Sequence, residues 1–377
     1  MQLDATQETY SPGLEGVVAG ETAVSTLQNG LSYRGYPVEE LATQASYEEV
    51  AYLLLYGELP NASQLEAFQA RLGAHASVPK EILTVLGKLP PTASMMDVMR
   101  SGCSLLAHWD PEVSDNSHEA NVRKAERLVG QLPVILAARH RLRRGFAPVP
   151  ADPARGFAAN LLWMLHGVTP SSKHEQSLDV SLILYAEHEF NASAFAARVI
   201  CSTLSDLHSA ITGAIGALKG PLHGGANERV MDVLQEVGSP QNAADWIQNA
   251  LSQKRRIMGF GHRVYRTGDP RATLLKPWCT QLAEETNNLN VEQTADIIEQ
   301  QVWQAKKLPP NVDWPCGRLY HYLGLPIDLY TPLFVVARTA GWCAHVIEQL
   351  DNNRLMRPRS IYVGQPLRKW QPLEARA

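Results

Sequence analysis

Cysteine is scarce and scattered. Five residues, Cys103, Cys201, Cys279, Cys316 and Cys343, stand in 377, with no C-x-x-C among them. An odd, sparse set argues against a disulfide framework and fits a reducing compartment, so a cytoplasmic location is expected. No apolar run is clean enough for a membrane span. The nearest, Tyr330 to Ile347, holds Pro332, Arg338 and His345, and reads as a buried helix of a soluble protein. The first eight residues carry acids but no basic or apolar region, which predicts no signal peptide. A positive surplus is missing too. There are 34 Lys+Arg against 38 Asp+Glu, for a net charge of -4, which disfavours a nucleic-acid partner. His-Glu-x-x-His and Gly-x-Ser-x-Gly are both absent, so zinc-hydrolase and serine-hydrolase readings lack support and no metal is expected.

What remains is a chain with 45% hydrophobic residues, long enough for one large domain or two. Most of it reads as helix. Val122, Ala125, Leu128, Val129, Leu132, Ile135 and Leu136 recur at three- and four-residue steps, and Val291, Thr294, Ala295, Ile298, Val302 and Ala305 repeat the pattern. Pro133 predicts a kink or break in the first run. Pro37-Val38-Glu39-Glu40, Asn61-Ala62-Ser63-Gln64 and Thr92-Ala93-Ser94 look like helix starts. Strand signals lie near the front: Leu14 to Val18, Thr22 to Ser25 and Leu31 to Gly35. The expected fold is therefore mainly α, with a small N-terminal β element. Breakers at Gly220-Pro221 and at Gly324-Leu325-Pro326 bound a segment that reads as a smaller unit set into a larger one.

Three segments carry possible chemistry. In Lys219 to Glu228, His223 sits among small residues before a helix, either as a ligand-facing group or as an incidental His on a Gly-rich turn. Between Lys254 and Arg271, six basic residues (Lys254, Arg255, Arg256, Arg263, Arg266 and Arg271) stand against one acid, Asp269. With Gly259-Phe260-Gly261 inside, the stretch suits phosphates or carboxylates, or else is a solvated basic face. The run Arg139-His140-Arg141-Leu142-Arg143-Arg144 reads as such a face at a helix end. Asp313, between Val312 and Trp314-Pro315, is either a base with a raised pKa or a capping residue. Glu187-His188-Glu189 sits in a helix-like run whose adjacent residues do not face one another.

Taken together and in order, Ala186 to Ser193, Gly220 to Glu228, Ile257 to Arg271, Asn311-Val312-Asp313, Ala337 to Trp342 and Arg357-Pro358-Arg359 resemble the citrate synthase family over nearly the whole chain. The resemblance implies a two-domain helical fold, with residues 1–224 and 325–377 as a large domain for dimerisation and oxaloacetate, and 225–324 as a small CoA-binding domain. It implies condensation of acetyl-CoA with oxaloacetate and hydrolysis of citryl-CoA, with the CoA thioester as substrate and no cofactor. His223, His262 and Asp313 match the catalytic residues. His188, Arg271, Arg338 and, from the partner of a homodimer, Arg357 match the oxaloacetate ligands. Arg256, Ile257, Gly259, Gly261 and Arg266 match the CoA contacts, and Lys254 is added to them. Where many members have Phe-Tyr-Ser-Gly after the Asp, this chain has Trp314-Pro315-Cys316-Gly317 beside the expected acyl pocket. The near alternative is 2-methylcitrate synthase, with propionyl-CoA. Pro221-Leu222-His223, His262 to Tyr265 and Arg357-Pro358-Arg359 lean towards citrate synthase. An alternative of another class is a non-catalytic helical protein that binds CoA or another anion.

Overall fold

The computed structural model describes residues 10–262, 265 and 268–376. Three two-residue strands, β1 (Ser25–Thr26), β2 (Ser32–Tyr33) and β3 (Tyr36–Pro37), form an antiparallel sheet in that order, with Ser25 opposite Tyr33 and Tyr33 opposite Tyr36. Helices then follow: α1 (Val38–Gln44), α2 (Tyr47–Tyr56), α3 (Ala62–His75), α4 (Lys80–Lys88), α5 (Met95–Leu106) and α6 (His118–Leu142). Next come α7 (Phe157–His166), α8 (Ser172–Tyr185), α9 (Ala192–Cys201), α10 (Leu207–Leu218) and α11 (Ala226–Val237). The last are α12 (Pro240–Ser252), α13 (Pro270–Glu285), α14 (Leu289–Lys306), α15 (Asp313–Tyr322) and α16 (Tyr330–Asp351). The fold is mainly α with a small β element, as the sequence predicts.

Local chemistry explains the helix starts. Asn61 caps α3 through the Gln64 N–H, and Gln64 reaches back to the Asn61 N–H, so two orphan donors are satisfied together. Pro37 stands just before α1 without a capping hydrogen bond, and Glu39 and Glu40 lie in the first turn. The first periodic run is the buried face of α6, whereas in α14 Thr294, Ala295, Ile298 and Val302 are buried, Val291 is half-buried and Ala305 is exposed. Helix α16 is buried along nearly its whole length and packs on α2, α6, α8, α9 and α10. Among the described residues no helix is long and apolar enough to cross a membrane. Helices α11 to α15 pack on one another, while α13 and α15 also rest on α8.

Four expectations change. Leu14 to Val18 is not a strand. It is exposed chain that follows a 3-10 turn at Pro12–Leu14, with Gly13 and Gly16 at φ of 65° and 74°, and the strands among the described residues are β1, β2 and β3. Helix α6 is not broken at Pro133, because packing on several helices outweighs the lost hydrogen bond. The run from Arg139 is not wholly solvated. Arg139 is buried and donates to the carbonyl oxygens of Leu86 (2.7 Å) and Pro90 (2.6 Å), where α4 ends. Arg143 donates to Asp328 at 3.0 Å. Finally, α8 stops at Tyr185, so Glu187-His188-Glu189 lies on the loop beyond it, with Glu189 at φ 53°.

Candidate active site

The loop after α8 is pinned from three sides. The Tyr33 hydroxyl donates to the carbonyls of Ile183 (3.0 Å) and Glu187 (3.1 Å). The Ser25 hydroxyl donates to Glu187 Oε1 at 3.1 Å and accepts from the Glu189 N–H. On α16, Gly341 lets the loop approach closely, since a Cβ there would stand 2.2 Å from the Ala186 carbonyl oxygen. Arg198 Nε–H donates to His345 Nδ1 (3.0 Å), so the His345 proton sits on Nε2 and points at Glu187 Oε1, 2.9 Å away. The buried Glu187 would by burial alone be harder to ionise. The His345 ring hydrogen-bonded to it, the charge of Arg338 and the His188 N–H outweigh that, and hold it below the usual carboxylate range.

This loop delivers His188. Its Nε2 is buried without a hydrogen-bond partner among the described residues. Burial, then Arg271 and Arg338, push its pKa well down, so it is neutral. The His188 and His262 rings lie 5.3 Å apart, centroid to centroid, and Tyr265 flanks both. The Tyr265 N–H donates to His262 Nδ1 at 3.3 Å, which leaves the His262 proton on Nε2. Burial and Arg271 lower the His262 pKa.

His223 stands just before α11. The Ser193 N–H donates to its Nε2 at 3.2 Å, so Nδ1 carries the proton and is the donor. Burial, with Arg338 nearby, pushes it down to about 4. The Ser193 hydroxyl lies 2.8 Å from the same nitrogen and accepts from Trp342 Nε1 at 3.0 Å.

Asp313 opens α15, where helix N–H groups favour a carboxylate. Its side chain makes no cap. Instead Oδ1 accepts from the Tyr185 hydroxyl at 2.7 Å. Burial raises its pKa, against the pull of Tyr185, Arg271 and Arg338. The approach to Asp313 is fixed by Asn311, whose N–H donates to the Gly259 carbonyl and whose side chain donates to that of Gly261, both at 2.9 Å. Gly259 is at φ 86°, and a Cβ on it would stand 2.9 Å from the Trp314 ring.

Two buried arginines complete the group. Arg271 forms a fork with Asp269 (Nε to Oδ1 3.0 Å, terminal nitrogen to Oδ2 2.9 Å), and Asp269 also accepts the Val312 N–H at 3.0 Å. Arg338 donates Nε–H to the Tyr185 carbonyl at 2.5 Å and lies over Phe334. Glu187 attracts it electrostatically, without a hydrogen bond.

The structure thus brings together His188, His223, His262, Arg271, Asp313 and Arg338. Gly259 and Gly261 line the adjoining loop, Lys254 and Arg256 are exposed beside it, and Ile257 is half-buried. Arg266 lies outside the described residues. Arg357 is exposed and makes no hydrogen bond or ion pair among the described residues. No group of His, Cys, Asp and Glu among the described residues is placed to hold a metal ion. The sequence did not single out Tyr185, Ser193, Glu187 and Asp269, which hold these side chains in place. Asp269 alone left a signal, as the single acid among six cations.

A buried carboxylate and neutral imidazoles thus share the field of two buried guanidiniums on a helical frame. Groups of these types can take a proton from carbon and polarise carbonyl groups of an anionic substrate. The model for "Citrate synthase, C-terminal domain" matches residues 13–359. A 2-methylcitrate synthase of Shewanella oneidensis is 45% identical, over 97% of each chain. Citrate synthase 2 of Bacillus subtilis is 46% identical, over 98% of this chain and all of that one. The ternary complex of citrate synthase from Thermoplasma acidophilum with carboxymethyl coenzyme A and oxaloacetate superposes with a TM-score of 0.91 at 32% identity, over 98% of this chain and all of that one. The chain belongs to the citrate synthase family, in which citrate synthases and 2-methylcitrate synthases are both found.

Proposed function

We propose that this chain condenses acetyl-CoA with oxaloacetate and hydrolyses the resulting citryl-CoA to citrate and CoA. The observation that carries this reading is that the buried Arg271 and Arg338 act on Asp313 together, while Arg338 also acts on His223 and Arg271 on His262, both imidazoles being held in defined tautomers. Asp313 takes a proton from the thioester methyl. His223 Nδ1–H donates to the thioester oxygen as charge develops there. The enolate carbon attacks the oxaloacetate carbonyl carbon, and His262 Nε2–H protonates the oxygen as the bond forms. Arg271, Arg338 and His188 hold the two carboxylates, since guanidinium forks fix orientation as well as charge. Water then cleaves the thioester. The segment 254–261, with Arg266, receives CoA.

We further assign residues 225–324 to a smaller unit that closes on the rest, supported by the mutual packing of α11 to α15. The partner subunit of a homodimer supplies Arg357. Mixed dimers of Arg357→Ala and Asp313→Ala chains test this: recovered activity supports sharing, and none refutes it.

Acetyl-CoA is favoured by the large rings beside the base, where Tyr185 packs on Phe334 at 4.3 Å. A second reading, with propionyl-CoA, is favoured by the 45% identity to a 2-methylcitrate synthase. Thiol release with oxaloacetate and each thioester decides between them. A higher kcat/KM for acetyl-CoA is expected, and a propionyl preference sinks the first reading. No release with either returns the chain to a non-catalytic binding module.

A further inference from the structure

The Tyr185 hydroxyl is the one uncharged donor bonded to the Asp313 carboxylate among the described residues. Tyr185 is the last residue of α8, and Asp313 is the first of α15, 128 positions on. The bond therefore ties together the two segments that the proposed function puts on opposite sides of the site. Tyr185 is itself fixed: its carbonyl accepts from Arg338, and its ring rests on Phe334. The phenol is buried and its pKa lies well above the usual value, so it stays a donor throughout the working range.

We propose that Tyr185 is a positioning residue of the reaction, whose hydroxyl keeps the Asp313 carboxylate ionised and aimed at the substrate methyl. This rests on the reading of Asp313 as the base. A carboxylate surrounded by protein loses solvation, and a donor aimed at its charged form restores part of what is lost. The groups facing Asp313 are Arg271 and Asp269 from α13 and its cap, Arg338 from α16, and Cys316 and Tyr320 from α15 itself. Helix α11 presents the uncharged Asn227 to α15, at Gly317. The two arginines favour the ionised form and Asp269 opposes it, so the phenol adds to a balance already contested. Because the bond crosses between α8 and α15, separation of these segments would remove it. The base is then fully poised only when they are together.

Tyr185→Phe removes the donor and keeps the ring on Phe334. Burial already raises the Asp313 pKa, and loss of a stabilising donor raises it further. The base works ionised, so activity falls as pH drops through that value. The acid limb of the kcat/KM profile should therefore move up by roughly one pH unit, as expected for a hydrogen bond to a charged group. The oxaloacetate KM and the melting temperature should change little. An unmoved limb, or a downward shift, overturns the proposal. A merely structural role would lower the melting temperature and leave the limb in place. Asp313→Asn, assayed alongside, should abolish turnover. If it does not, the reading of Asp313 as base fails, whereas an unmoved limb with Asp313→Asn inactive sinks only the role of Tyr185. Infrared difference titration of each chain against its own Asp313→Asn variant reads the same carboxyl without turnover, and no rise in the Tyr185→Phe chain counts against the proposal.

Discussion

The two sides of the site are held in different ways. On the histidine side, the main chain sets the chemistry. Ser193 N–H fixes the tautomer of His223 and Tyr265 N–H fixes that of His262. On the arginine side, side chains do it. Asp269 grips Arg271 with two hydrogen bonds, and Glu187 attracts Arg338 from a distance. Main-chain donors survive any substitution that leaves the backbone in place, except by proline. Carboxylates do not. The arginine side should therefore be the fragile half, and within it the Arg271 pair should be the more fragile.

Asp269→Asn tests the most exposed point of that comparison. It leaves Arg271 as a buried cation without its counter-charge, which costs about 3–5 kcal/mol. Arg271, the Arg271 N–H and the Val312 N–H hold the Asp269 carboxyl below its usual pKa, although burial opposes them. Its stabilisation is thus full above the unfolded value, about 3.9. It is lost as pH falls through the lower folded value. Urea denaturation across that range should show this slope in the parent and a flatter one in Asp269→Asn. Equal slopes would mean that the pair is not what holds the loop.

Glu187→Gln should cost less, about 1–3 kcal/mol. The amide oxygen can still accept from Ser25 and His345, and the amide nitrogen falls where Oε2 now has no partner. Arg338 loses charge compensation but no hydrogen bond. Thermal melts of both variants sharpen the comparison, and a larger loss in Glu187→Gln than in Asp269→Asn would reverse it.

How far the sequence could see follows the same division. Periodicity made α6 and α14 legible, since a helix face is a local pattern that long-range packing then fills, and α16 was legible as a long apolar run. The capping of α3 was legible because Asn61 and Gln64 are three residues apart. His223, His262 and Asp313 could be singled out as candidates through their ordered motifs. What holds them was not. Tyr185 meets Asp313 across 128 positions, and Ser193 meets His223 across 30. A backbone N–H leaves no mark in a sequence, because every residue but proline has one. Arg139 misled for a related reason: its carbonyl partners on and just after α4 lie 49 to 53 positions away, so a buried clamp looked like a solvated charge. Glu187 was set aside because neighbours on a helix do not face one another, but α8 had already ended.

The smallest effect is expected on the histidine side, from Ser193→Ala. The hydroxyl lies closer to His223 Nε2 than the Ser193 N–H does, 2.8 against 3.2 Å, so distance alone would credit it with setting the tautomer. Donor chemistry argues otherwise. Asn191 Oδ1 draws on both donors, 2.7 Å from the hydroxyl and 3.2 Å from the N–H, but the hydroxyl can turn either way. The N–H can only donate. Ser193→Ala removes the acceptor of Trp342 Nε1, so a loss of about 1 kcal/mol in stability is expected. Nδ1 of His223 should keep its proton, and kcat should fall less than about tenfold, well short of the hundredfold or more that a misprotonated catalytic group costs. A hundredfold fall with the melting temperature preserved would show that the hydroxyl sets the tautomer, and the division between a main-chain-held and a side-chain-held half would fail at that residue.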